Sequence, residues 1–157
     1  MQALLKKLNY KSESPVHLLF VPEELSELPA YLSASTRIIT NLENDNSSVG
    51  FAMVFATKLE VLESAVHTLA PLLDGDAVLW ICYPKGSSKR YRCDFNRDTG
   101  WQVCGQYNLE PVRQVAVNED WSALRFRKTQ FIKQLTRSSD MALGAEAKAR
   151  LTQQKKT

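Results

Sequence analysis

Three uninterrupted apolar runs organise the chain: residues 16–21 (VHLLFV), 51–56 (FAMVFA) and 77–83 (AVLWICY). None alternates with polar residues, which is the pattern of a strand covered on both faces and so of a parallel sheet between helical layers. Residues 37–42 (RIITNL) add a shorter strand between the first two. Residues 2–9 place Leu4, Leu5 and Leu8 on one side of a short amphipathic helix. Pro22 suits the first turn of a second helix, where its missing N–H costs nothing. Glu23, Glu24 and Glu27 complement the positive pole of that helix, and Leu25 and Leu28 give it an inner face. Pro29 complicates its continuation.

The clearest helix follows the third strand. Thr57 and Glu60 have the spacing of a capping box, and Leu59, Leu62, Val66, Leu69 and Leu73 then recur at three and four residues until Gly75 ends the pattern. Residues 96–107 read as a further helix, capped by Asn96 or Asp98, with Trp101, Cys104 and Tyr107 as its buried stripe. Residues 111–117 and 122–127 are two strands that Asn118-Glu119-Asp120 would close into a hairpin. The order is β-α-β-β-α-β-α-β-β. Helical crossovers demand parallel pairing, so the expected fold is a single three-layer open α/β sheet of about six strands, mostly parallel, ending in an antiparallel β-hairpin. Residues 1–128 are expected to form the domain and residues 129–157 a basic C-terminal tail, partly helical or disordered.

Length and composition narrow the class. A chain of 157 residues, 44% hydrophobic and 24% charged, can bury one sizeable core. No window approaches the ~18 apolar residues of a membrane span, and the first residues lack the apolar stretch of a signal peptide, so the expected location is the cytoplasm. The net charge of +3 hides an asymmetry: residues 1–128 hold 14 basic against 15 acidic side chains, whereas residues 129–157 hold 6 against 2. Cys82, Cys93 and Cys104 contain no CxxC pair, and His17 and His67 fall in apolar elements elsewhere. They are read as reduced structural thiols, with no metal site.

Open α/β sheets bind ligands at the carboxyl ends of their parallel strands. Near that edge fall Pro22, Glu23, Glu43, Thr57, Lys58, Pro84 and Lys85. The loop 85–97 adds Lys89, Arg90, Arg92 and Arg97 against Asp94, and Gly86-Ser87-Ser88 gives it freedom to wrap. Such a loop suits phosphate or another anion, with Lys58, Lys85, Lys89, Arg90 and Arg92 as its candidate ligands. The plain alternative is a solvated surface loop. Trp121 at the hairpin turn is read as a lid over the end of the core. No pairing of nucleophile and base can be assembled, so no catalytic residue is assigned.

Several motifs carry a family likeness: Leu8-Asn9-Tyr10, FAMVFATKLEVLE (51–63), LWICYPK (79–85), Asp94 with the segment after it, and DWSALR (120–125). Across roughly residues 8–128 the chain resembles a small bacterial family of unknown function, with a reduced form of the class I S-adenosylmethionine (SAM)-dependent methyltransferase fold in which one β-α unit is missing. The resemblance implies a Rossmann-like sheet of order 2-1-3-4-6-5. It also implies where a cofactor would lie, with Pro22, Glu23, Glu43, Thr57, Pro84 and Asp94 at its edge. True methyltransferases place a glycine-rich loop after the first strand so that backbone can approach the cofactor. This chain has Val21-Pro22-Glu23-Glu24-Leu25 there. They place an acidic residue after the second strand, where Glu43 stands. Some carry an Asn/Asp-Pro-Pro-aromatic motif after the next strand, where this chain has Ala56-Thr57-Lys58. The leading expectation is therefore a non-catalytic cytoplasmic protein that uses no cofactor and binds a small anion or a phosphate-bearing partner. The alternatives are a divergent SAM-dependent methyltransferase and a nucleic-acid-associated protein using the 85–97 loop and the tail.

Overall fold

The computed structural model describes residues 1–43, 46–96, 100–133 and 142–156. Its centre is a six-stranded sheet of order β2-β1-β3-β4-β6-β5. Strands β1 (Val16–Leu19), β2 (Ile38–Ile39), β3 (Val49–Phe55) and β4 (Leu73–Pro84) are parallel. Strand β6 (Trp121–Lys128) runs antiparallel between β4 and β5 (Leu109–Ala116). Both the expected order and the expected hairpin are present. Asn118 Oδ1 closes the hairpin turn by accepting the N–H groups of Asp120 and Trp121, each at 2.8 Å. Pro111 is tolerated in β5 because that strand lies at the sheet edge.

Helices cover both faces. On one side α1 (Gln2–Lys7) and α2 (Glu27–Ser33) set Leu5, Leu8, Leu28 and Leu32 against Leu18, Met53 and Trp80. Trp80 is wholly buried, and its Nε1–H donates to the carbonyl of Leu8 at 2.7 Å, which ties the end of α1 to the centre of the sheet. On the other side α3 (Leu59–Leu69) buries Leu62, Val66 and Leu69 against Val54 and Ile81, and α4 (Gln102–Gly105) adds Val103 and Cys104. Truncating a fully buried leucine such as Leu62 to alanine would cost about 2–5 kcal/mol.

Several boundaries differ from the sequence pattern, each for a local reason. The first apolar run stops being strand at Leu19 because Phe20 takes φ +60°. Glu23–Leu25 form a 3-10 turn before α2 begins, and Pro29 is the third residue of α2, where an N–H has no intrahelical partner. The second strand shrinks to Ile38–Ile39. Helix α3 ends at Leu69 and passes through a 3-10 turn, Ala70–Leu72; Gly75, with φ +56°, lies inside β4 and does not end the helix. The helix expected over 96–107 is one turn, Gln102–Gly105, with Trp101 as its N-cap. Asn96 stands outside it, and the other proposed cap, Asp98, falls outside the described residues, as does Arg97.

The C-terminal helix α5 (Ala145–Lys156) is held at its start by the body of the protein. The buried carboxylate of Glu110 accepts the N–H groups of Leu143 and Gly144, both at 2.7 Å. Asn108 Oδ1 accepts the N–H of Glu146 at 3.1 Å. Two glycines make the crossing fit: a Cβ on Gly105 would lie 2.2 Å from the Leu143 carbonyl oxygen, and one on Gly144 would lie 2.8 Å from Asn108 Oδ1.

Candidate functional site

The carboxyl ends of β1, β3 and β4 share one edge, and the loop 85–96 runs across it. Its course is fixed by its own polar groups. The Lys85 N–H donates to the Asp120 carbonyl at 2.8 Å, and the Ser88 hydroxyl donates to the Asp120 carboxylate at 2.8 Å. Ser88 Oγ in turn accepts the N–H groups of Arg90 and Tyr91 at 3.3 and 3.2 Å. The glycine-serine stretch is thus the start of a hydrogen-bonded turn.

Beyond it, Tyr91 lies against Trp121, ring centroids 4.9 Å apart, and Trp121 meets Phe55 edge-on at 5.3 Å. The Tyr91 hydroxyl and the Trp121 Nε1–H both donate to Glu24 Oε1, the second at 3.3 Å. These bonds, Tyr91's first, hold the Glu24 carboxyl below its usual range, while burial and the facing carboxylate push the Tyr91 phenol up. Trp121, 2% exposed, is the expected lid over the core. Glu24 is the residue that sequence reasoning assigned only to a helix pole. Its partners are 67 and 97 residues away, a separation no local pattern reveals.

The loop ends by docking on α3. Asp94 Oδ1 accepts the Leu59 N–H at 2.6 Å, and the Asp94 N–H donates to the Thr57 carbonyl at 3.1 Å. Asp94 thus caps α3, the helix that precedes it in the chain. One expectation is overturned. Thr57 and Glu60 form no capping box, because the N-cap is Lys58, whose side chain makes no capping bond.

Among the described residues, three open clefts lie around this edge. One, of about 870 Å³, lies between the loop and the hairpin, with Lys85, Arg92, Asp94, Asn96, Gln114 and Ser122 in its lining. Gln114 Nε2 donates to the hydroxyls of Tyr83 and Ser122 at 3.1 and 2.9 Å. A second, of about 430 Å³, holds Pro22, Glu23, Thr57 and Arg90 beside the Tyr91–Trp121 pair. A third, of about 680 Å³, is lined by Thr40, Asn41, Glu43, Glu60, Ser64 and Thr68. It lies where the connection leaving β2 passes α3.

The basic candidates are therefore dispersed. Lys85 and Arg92 share the first cleft, together with Pro84 and Asp94; Arg90 lines the second; Lys58 and Lys89 are exposed and line none of the three. Glu43 stands alone among the candidates in the third. Among the described residues no group of three or more His, Cys, Asp or Glu side chains could hold a metal ion.

Phe20 went unnoticed in the sequence. It sits directly after β1, adopts a left-handed backbone that costs most residues roughly 1–2 kcal/mol, and is 62% exposed between the second and third clefts. Its ring lines both clefts beside the end of β1.

Comparison with solved structures finds likeness in fold to several methyltransferases. The chain is similar to magnesium protoporphyrin IX methyltransferase from Synechocystis PCC 6803 with bound SAM (TM-score 0.53, 10% identity, 82% of this chain and 79% of that one). It is also similar to a SAM-dependent methyltransferase from Aquifex aeolicus (TM-score 0.53, 11% identity, 80% and 88%). The N-methyltransferase NodS from Bradyrhizobium japonicum WM9 matches at TM-score 0.50 and 13% identity, over 81% and 93% of the two chains. No family model matches the chain, and no curated protein matches its sequence.

Proposed function

We propose that the protein uses its six-stranded, methyltransferase-like sheet as a non-catalytic binding scaffold. Its ligand is a small anion or phosphate-bearing molecule whose charged end enters the 870 Å³ cleft between Lys85 and Arg92. The observation that carries this reading is the clasp of Glu24, Tyr91 and Trp121, which ties the loop and the hairpin to the segment after β1 across the end of β3. Lys85 and Arg92 supply charge, Arg92 as a bidentate donor, and the Gln114–Tyr83–Ser122 group supplies hydroxyls for the uncharged part.

One observation favours a second reading, a divergent SAM-dependent methyltransferase: Glu43 lines the cleft at the end of β2, where those enzymes hold ribose. Thermal-shift titration separates the two. On the first reading pyrophosphate raises the melting temperature and SAM leaves it unmoved. A rise with SAM supports the second. Retained pyrophosphate binding in the Lys85→Ala/Arg92→Ala double variant removes that cleft as the site.

A further inference from the structure

The hairpin carries a second cationic feature away from the loop. On the face covered by α1 and α2, one row of side chains crosses the sheet: Leu18, Met53, Trp80, Arg125, Arg113, each in register with the next. The first three are completely buried. The row then ends in two arginines on neighbouring strands, Arg125 partly exposed and Arg113 exposed. Directly opposed like charges destabilise a strand pair.

A change of register creates this pairing. Pro111 pairs with Phe126, but Arg113 pairs with Arg125, so one extra residue, Val112, is accommodated between them. Without that bulge the alternation would turn Arg113 to the opposite face, beside Leu124. The irregularity therefore brings together two groups that repel.

Among the described residues neither arginine makes a hydrogen bond or ion pair, and Arg125 Nε is fully shielded from solvent with no acceptor. Arg127, two residues along the same face, is already taken by Asp76, with Nε–Oδ1 2.8 Å and Nη2–Oδ2 2.6 Å. Burial, then Arg127 and Arg113, push the Arg125 guanidinium down from its usual range; Asp76 and Glu13 oppose this from a distance without touching it. A shielded guanidinium donor without an acceptor is a standing cost.

We propose that Arg113 and Arg125 form an oxyanion site that accepts a phosphoryl group, supplied by a free phosphate ester or by a nucleic-acid backbone. Two guanidinium forks on adjacent strands can bracket one tetrahedral anion through their solvent-facing N–H groups, and its charge would offset the repulsion between them. The site does not depend on the loop reading. Arg125 lies four residues down β6 from Trp121, roughly 13 Å from the clasped edge at the usual strand rise.

The test is arginine side-chain Nε–H NMR on the full chain, titrated with inorganic phosphate. The Arg125 Nε–H resonance is expected to shift and saturate, and to do so equally in the Lys85→Ala/Arg92→Ala variant. Arg113→Gln, at an exposed position that leaves the core intact, should weaken this response roughly tenfold. Arg125→Lys should abolish it as read at Arg113. An unmoved Arg125 signal, or a shift unaffected by Arg113→Gln, overturns the site. A twelve-nucleotide single-stranded DNA then identifies the source of the phosphoryl group. Much tighter, salt-sensitive binding that is lost in Arg113→Gln points to nucleic acid, and affinity equal to glycerol phosphate points to a free ester.

Discussion

Asp94 caps a helix that begins 35 residues before it, through a 2.6 Å bond to the Leu59 N–H. The loop after β4 thus secures the helix before β4, and helix start and loop end are one structural unit. Asp94→Ala should cost about 1 kcal/mol of stability in urea denaturation, the usual worth of an N-cap. Glu60→Gln should stay within about 0.5 kcal/mol, because Glu60 takes no part in the cap. Equal losses in the two variants would restore the capping box that the sequence suggests.

Glu24 gives a pH signature. Its folded carboxyl titrates below the ordinary range, first because Tyr91 donates to it, and Trp121 adds to that. A depressed acid contributes stability that is complete above its unfolded value, about 4.3, and is lost as pH falls through the lower folded value. The stability difference between the wild type and Glu24→Gln should therefore be constant from pH 7 to about 5 and narrow below that. A difference that widens on acidification would contradict the clasp.

Much of the scaffold was legible because its signals are local. The apolar runs 16–21, 51–56 and 77–83 hold strands β1, β3 and β4, the Leu62–Val66–Leu69 stripe is a helix, and Asn118–Asp120 is a turn. What escaped depends on distant partners or on single backbone angles. Asp94 reads as a loop carboxylate among basic neighbours, and only the folded chain shows Leu59 within reach. Phe20 carries no mark of a left-handed residue. The bulge at Val112 flips a register that alternation alone would extend straight through. The basic loop was visible as charge, but its division between clefts depends on which way each side chain leaves the turn that Ser88 organises.

The seat of α5 rests on two close backbone crossings. Gly105→Ala places a methyl 2.2 Å from the Leu143 carbonyl oxygen, and the neighbour is backbone, which cannot rotate away. The segment should leave, taking its two N–H donors from Glu110, at a cost of about 1–3 kcal/mol. Hydrogen exchange should show protection lost over residues 142–152 and kept in β3 and β4. Gly86→Ala is the control, since nothing lies within 4 Å of its added methyl. Unchanged protection in Gly105→Ala would mean that the crossing is looser than described.

The three cysteines should report the layering of the fold by reaction rate. Thiolate is the reactive form, and burial pushes all three thiols up, with Glu110 adding to the effect at Cys104 and Asp94 at Cys93. Cys82 lies in the centre of the sheet and Cys104 in α4, both without exposed surface, whereas Cys93 is only half-buried in the loop. A thiol reagent at pH 8 should therefore label one cysteine in the native protein, Cys93, more slowly than an unperturbed thiol and faster as pH rises. Cys82 and Cys104 should react only at the rate of unfolding, and all three together in denaturant. Early labelling of Cys82 would mean that β4 is not the covered central strand on which the loop, the clasp and the arginine row are all built.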